Sequence, residues 1–223
     1  MPPDLIWEIG ILKKTAALVN RDLGKLPKEK ADLILAAADE VIAGKLHEQF
    51  PLRSWQTGNG TRTKRNANEV ISNRAIQMTG GKKGKKKTIH PNDSVNMPQS
   101  PNDTFPTAIY VAAAIVLAEN LTPALKELHA VLETKSQELT PTAQTGRTYL
   151  HDATPPTVDQ EVSGLPSLIE RDLGRIRLAI EGFYALATRG RAAATGPNIH
   201  PEFDQRTENP LAFRHHCTNG VNS

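Results

Sequence analysis

Three short stretches of this 223-residue chain are rich in small hydrogen-bonding residues: Thr57 to Thr61, His90 to Asp103, and Thr145 to Asp152. Each precedes a segment predicted to be helical. The unsatisfied N–H groups and the macrodipole at a helix start favour an anion. A carboxylate site is therefore one reading of the three stretches; plain capping loops are the other, and composition alone favours capping. Other motifs are weaker. Gly84-Lys85 suggests a phosphate loop, but Thr79 stands where its first glycine is required and Lys86 where Ser or Thr must bind magnesium. The run Lys82, Lys83, Lys85, Lys86, Lys87 lacks aromatic neighbours for base stacking and reads as a solvated loop, so no nucleic-acid partner is expected. His215-His216-Cys217 offers three adjacent ligands with no second cluster to complete four-coordination, so no metal site is expected.

Helices must position these stretches. Leu5, Ile9, Leu12, Ala16 and Val19 recur at helical spacing from Leu5 to Leu23, and Gly24 supplies a stop. A second stripe, Leu33, Ile34, Ala37, Val41 and Ile42, follows Pro27 and ends at Gly44. No period holds from Lys45 to Arg65, which reads as a loop, and helical spacing returns from Asn66 to Met78 before Gly80-Gly81. Thr104-Phe105-Pro106 opens an apolar segment reaching Leu121, and Thr122-Pro123 opens another helix. From Val158 to Ala187 the three-four spacing is sustained, which predicts the longest helix, kinked at Pro166. Gln205 to Ser223 shows no period, and a poorly ordered tail is expected there.

Composition bounds the class. Hydrophobic residues make up 38% of the chain and aromatic residues only 4%, which favours helices packed through aliphatic ridges over a β-sandwich. The net charge is +3, and the five lysines between 82 and 87 exceed that whole surplus, so the basicity is local. Cys217 is the only cysteine, which excludes an intrachain disulfide, and no secretory leader pattern is recognised. A reducing compartment, cytoplasm or mitochondrial matrix, is the expected location. The longest apolar stretch, Ile109 to Ala118, is too short to span a bilayer, so no membrane partner is expected.

Longer motifs carry a resemblance. Ser54 to Thr61 (SWQTGNGT) with Asn66 to Ala75 (NANEVISNRA) resembles the first signature stretch of class II fumarases and their aspartase relatives. His90-Pro91-Asn92-Asp93 and Asn102 to Ala108 (NDTFPTA) resemble the second, and Gly146-Arg147-Thr148 with Asp152 to Pro155 (DATP) the third. Asn198 to Phe203 (NIHPEF) resembles a fourth. The order and spacing match from about Ile6 to Asp204, and Phe105 with His200-Pro201-Glu202 is more similar to fumarase than to aspartase.

The resemblance implies a mainly α fold: an amino-terminal helical domain over 1–103, part of a central helical bundle over 104–204, and a divergent tail over 205–223. It implies reversible hydration of fumarate to malate, a step of the tricarboxylic acid cycle, with no cofactor, in a homo-oligomer that takes a dicarboxylate. It assigns dicarboxylate binding to Asn59, Gly60, Thr61, Ser100, Pro101, Asn102 and Thr148, and a second, peripheral anion site to His90, Pro91, Asn92 and Asp93. Departures fall on the chemistry. Tyr149 stands where the family pattern has its catalytic histidine, and a phenol ordinarily ionises only near about pH 10. Pro98 and Pro101 occupy positions of family serines, and Lys64-Arg65 replaces an Asn-Met pair. The Gly-Ser-Ser signature of the family's mobile catalytic loop occurs nowhere in the chain, so an inactive, truncated copy or fragment is the expectation, as a lyase by descent or as a non-catalytic assembly piece.

Overall fold

The computed structural model describes residues 1–53, 55, 59–84, 88–97, 99–183, 202, 203 and 206, apart from the side chains of Asn59, Pro101 and Asp103. The described chain is mainly helical, with seven α-helices and one small hairpin. It divides into two compact units, Met1–Ala113 together with the chain from Tyr184 onward, and Ala114–Phe183.

In the first unit, α1 (Pro3–Asp22) and α2 (Lys28–Ile42) pack side by side, and α3 (Asn59–Met78) packs on α2. The glycine stops behave as the sequence predicts. Gly24 and Gly44 take φ values of +68° and +74°, the left-handed conformation that ends a helix without a Cβ clash. The core joins Ile6, Ile9 and Leu12 of α1 to Ile34, Ala37 and Val41 of α2 and Ala67, Ile71 and Ile76 of α3. Each fully buried isoleucine contributes about 1.5–3 kcal/mol through the hydrophobic effect. Arg74 on α3 donates two hydrogen bonds to the Glu40 carboxylate on α2, at 2.5 and 2.7 Å.

α3 begins seven residues earlier than its apolar period indicates. Asn59, Gly60 and Thr61 form a helical first turn instead of a loop. The cause is tertiary: a Cβ on Gly60 would lie 3.0 Å from the Phe105 ring, so the absent side chain lets α4 (Pro101–Val116) approach. Between these helices a π-helical turn, Pro91–Val95, occupies part of the expected His90 to Asp103 loop.

α4 does not end where an interrupted apolar pattern suggests. A π-helical turn, Leu117–Leu121, carries it without a break into α5 (Thr122–Glu138). The continuous helix over Thr104–Glu138 is long and apolar enough, by length and composition, to cross a membrane. The stretch Ile109–Ala118 understated it because Glu119 and Asn120 interrupt the apolar run without interrupting the backbone.

The second unit corrects two further expectations. Thr145 to Asp152 is a hairpin rather than a capping loop, with β1 (Gly146–Thr148) antiparallel to β2 (His151–Ala153), and Thr148 opposite His151. The segment from Val158 is not one long kinked helix. It is α6 (Val158–Val162), a turn at Ser163, and α7 (Gly164–Gly182), shorter than the 20-residue α1 and α3. Pro166 is the third residue of α7, where no intrahelical N–H bond is required, so it costs no kink. A capping box between Thr157 and Gln160 starts α6, and both α6 and α7 pack on α5. Apart from Arg206, the tail from Gln205 lies outside the described residues, as do His215, His216 and Cys217.

Candidate dicarboxylate site

Ser100 is the N-cap of α4. Its buried hydroxyl accepts the Asn102 N–H at 3.2 Å, and Pro101 follows at the first helical position, where a missing N–H breaks no helix bond. The Ser100 carbonyl accepts the Thr104 hydroxyl at 2.8 Å, which fixes the entry into the helix. The Gly60–Phe105 contact brings the start of α3, with Asn59, Gly60 and Thr61, against this same helix start. Thr61 and Asn102 are exposed, so their polar groups remain open to a ligand. Two of the three expected dicarboxylate segments therefore meet in the first unit as paired helix N-termini, an arrangement suited to a carboxylate.

The peripheral segment is held to α3. The Ser72 hydroxyl donates to the Ile89 carbonyl at 2.7 Å, directly before His90. His90 caps the Pro91–Val95 turn, its Nδ1 accepting the Asp93 N–H at 3.2 Å, while an Asp93 carboxylate oxygen lies 3.0 Å from the same nitrogen. A neutral ring can accept the N–H; a protonated ring would have to donate to the carboxylate instead. Pro91 is buried and packs the turn down, leaving Asn92 and Asp93 exposed.

Thr148 and Tyr149 belong to the hairpin of the second unit. Tyr149 and Leu150 form its two-residue turn, with φ of +50° and +64°. Both signs match a primed turn, which suits the twist of paired strands but disfavours residues with a Cβ. Tyr149 is 93% exposed and Leu150 fully so. Gly146 is needed at the hairpin base because a Cβ there would meet the Thr154 carbonyl oxygen at 2.6 Å.

One functional-looking residue escapes the sequence reading. Lys13 is wholly buried on α1 and donates to the side-chain oxygens of Asn96 at 2.8 Å and Gln99 at 2.6 Å. Burial pushes its ammonium well below the ordinary lysine value, and the charge of Lys64 pushes the same way. Burial also lowers Lys64, assisted by Arg65. The signal was present in the pattern: Lys13 falls four residues after Ile9 and three before Ala16, inside the apolar stripe. Asn20, next along that face, donates to the Met97 carbonyl at 2.6 Å. The stretch Asn96–Gln99 leading into Ser100 is thus clamped by α1.

Comparison with known proteins identifies the family. A family model described as Lyase matches residues 5–222. Class II fumarate hydratases from Neisseria meningitidis and Methanosarcina acetivorans are each 47% identical over 212 residues, 95% of this chain but 46% and 44% of theirs. Among solved structures, class II fumarase from Schistosoma mansoni superposes with a TM-score of 0.87 at 35% identity, covering all of this chain and 47% of that one. A Brucella melitensis protein described as fumarate lyase:delta crystallin superposes with a TM-score of 0.87 at 36% identity, covering 97% of this chain and 46% of that one. The chain belongs to the lyase family and, within it, to the fumarate hydratase-like members. It spans about half the length of the relatives it matches.

Proposed function

We propose that this chain binds a dicarboxylate such as fumarate or malate at the paired starts of α3 and α4, and that it does not hydrate fumarate by itself. The binding half rests on Thr61 and Asn102, which are exposed beside a capped helix entry, and on the resemblance of Asn59, Gly60, Ser100 and Pro101 to family binding positions. The missing turnover rests on one observation: Tyr149, at an exposed turn, occupies the position where the family pattern has histidine. Removing a proton from the carbon beside a carboxylate builds negative charge that needs prepositioned donors and a base matched to neutral pH. A phenol does not supply that base, and general acid–base assistance is typically worth about 10²–10⁴ in rate. No cofactor, nucleic acid or membrane enters this reading, and a cytoplasmic or mitochondrial-matrix location accompanies it.

The test splices on the remaining segment of a complete relative and compares Tyr149 with Tyr149→His by following fumarate absorbance. The histidine form should turn over at least a hundredfold faster. Equal rates would overturn the reading.

A second reading, a non-catalytic piece that packs with other fumarase helices, is favoured by the apolar side chains left exposed on the second unit. Leu128 and Val131 on α5 and Leu165, Leu168 and Leu178 on α7 are all exposed. Such surface fits a homo-oligomeric bundle of the kind the family resemblance implies.

A further inference from the structure

Packing alone does not explain a lysine at position 13. The side chain has no exposed surface and falls inside the apolar stripe of α1, four residues after Ile9 and three before Ala16. A methionine would fill similar space without stripping an amine of its water, and apolar replacements of buried charged groups are often neutral or stabilising. What a methionine lacks is the pair of hydrogen bonds. Lys13 donates to the side-chain oxygens of Asn96 at 2.8 Å and Gln99 at 2.6 Å.

Both acceptors belong to one closed turn. The Gln99 N–H donates to the Asn96 carbonyl at 2.6 Å, and the Asn96 side-chain amide donates to the Gln99 carbonyl at 2.6 Å. The Gln99 side-chain amide donates back to the Leu12 carbonyl at 3.4 Å, so α1 holds Gln99 through two consecutive residues. Ser100 follows directly; its hydroxyl accepts the Asn102 N–H and its carbonyl accepts the Thr104 hydroxyl. A path of hydrogen bonds and one peptide bond therefore runs from Lys13 Nζ to the residues that open α4. Asn96 and Gln99 are half-buried, so water can satisfy their oxygens without the lysine. The turn would then lose its fixed support and keep its hydrogen bonding.

We infer that Lys13 is a positioning residue of the dicarboxylate site: it fixes Asn96 and Gln99, and through them the placement of the α4 entry from Ser100 to Asn102. The inference rests on the dicarboxylate reading given above and adds the residue that sets this entry before a ligand arrives. Groups held in place beforehand lose less freedom on binding, so removing the support weakens affinity without removing a contact to the ligand.

The experiment titrates the full chain with fumarate by calorimetry and follows hydrogen exchange of the Asn102 amide by NMR. Lys13→Met should weaken affinity by about tenfold and speed exchange at Asn102, with helical circular dichroism unchanged. A second pair of variants leaves Lys13 intact. Gln99→Leu, which removes an acceptor from Lys13, should weaken affinity as Lys13→Met does, whereas Gln99→Glu, which keeps an acceptor oxygen there, should bind close to the parent. If folded Lys13→Met binds as tightly as the parent, or if Gln99→Leu and Gln99→Glu bind alike, the positioning role falls. Loss of binding in Thr61→Ala would then leave the dicarboxylate reading standing. If the parent chain binds no fumarate at millimolar concentration, that reading falls and the inference with it.

Discussion

The hairpin turn offers a quantitative check on the fold. Tyr149 and Leu150 hold φ at +50° and +64°, where an L-residue with a Cβ costs about 1–2 kcal/mol. Their side chains, 93% and 100% exposed, return nothing through packing. Leu150→Gly removes the clash but gives back about 0.5–1 kcal/mol through the freer unfolded chain. Tyr149→Asn substitutes a residue that tolerates the left-handed region. The two changes together should stabilise the hairpin by about 1 kcal/mol or slightly more. Since every 1.4 kcal/mol is a factor of ten, the interstrand amides of Gly146–Thr148 and His151–Ala153 should exchange with solvent about five- to tenfold more slowly. Hydrogen exchange read by NMR on parent and double variant measures this directly. Unchanged or faster exchange in the double variant would refute the assignment of turn strain at these two residues.

Ile34, with no exposed surface and neighbours from α1 and α3, should cost about 2–5 kcal/mol when cut to alanine, read from the urea midpoint. The Arg74 hydrogen bond holds the Glu40 carboxyl below its ordinary value of 4.5. The unfolded chain therefore takes up that proton first, and the Glu40 contribution is present above about pH 4.5 and lost as pH falls through the lowered value. The stability gap between the parent and Glu40→Gln should accordingly shrink from pH 6 to pH 3 in urea titrations. The exposed leucines of α5 and α7 should make the isolated chain bind an apolar dye and self-associate; a dye-silent monomer in size-exclusion chromatography would count against that surface being open.

What the sequence reveals is the part of the fold set locally. The stripes of α1 and α2 and their glycine stops are legible because apolar period and left-handed glycine are both short-range signals. The early start of α3 is not, because Asn59 to Arg65 is polar and its helix is fixed by Phe105, more than forty residues along the chain. The break at Ser163 is hidden because the three-four stripe continues on both sides of it. The hairpin is hidden because Tyr-Leu is not a turn pair by composition. The candidate site is legible only as motifs that resemble a family. Composition reads them as caps, and the structure shows Ser100 to be one while the Gly60–Phe105 contact sets the start of α3 against α4. Lys13 is missed because a lysine is read as surface until its partners are seen.

The clamp on the α4 entry also sets the order in which this chain can fold. Lys13 reaches partners 83 and 86 residues away, and Asn20 one 77 residues away. Closing so long a loop carries an entropic cost that only the finished core of α1, α2 and α3 can offset, so these bonds belong after the transition state. During synthesis on the ribosome, α1 must therefore wait with an uncovered buried-type lysine until Asn96 and Gln99 emerge. That lysine keeps its water in the nascent helix and gives it up only when the segment preceding Ser100 arrives to replace it.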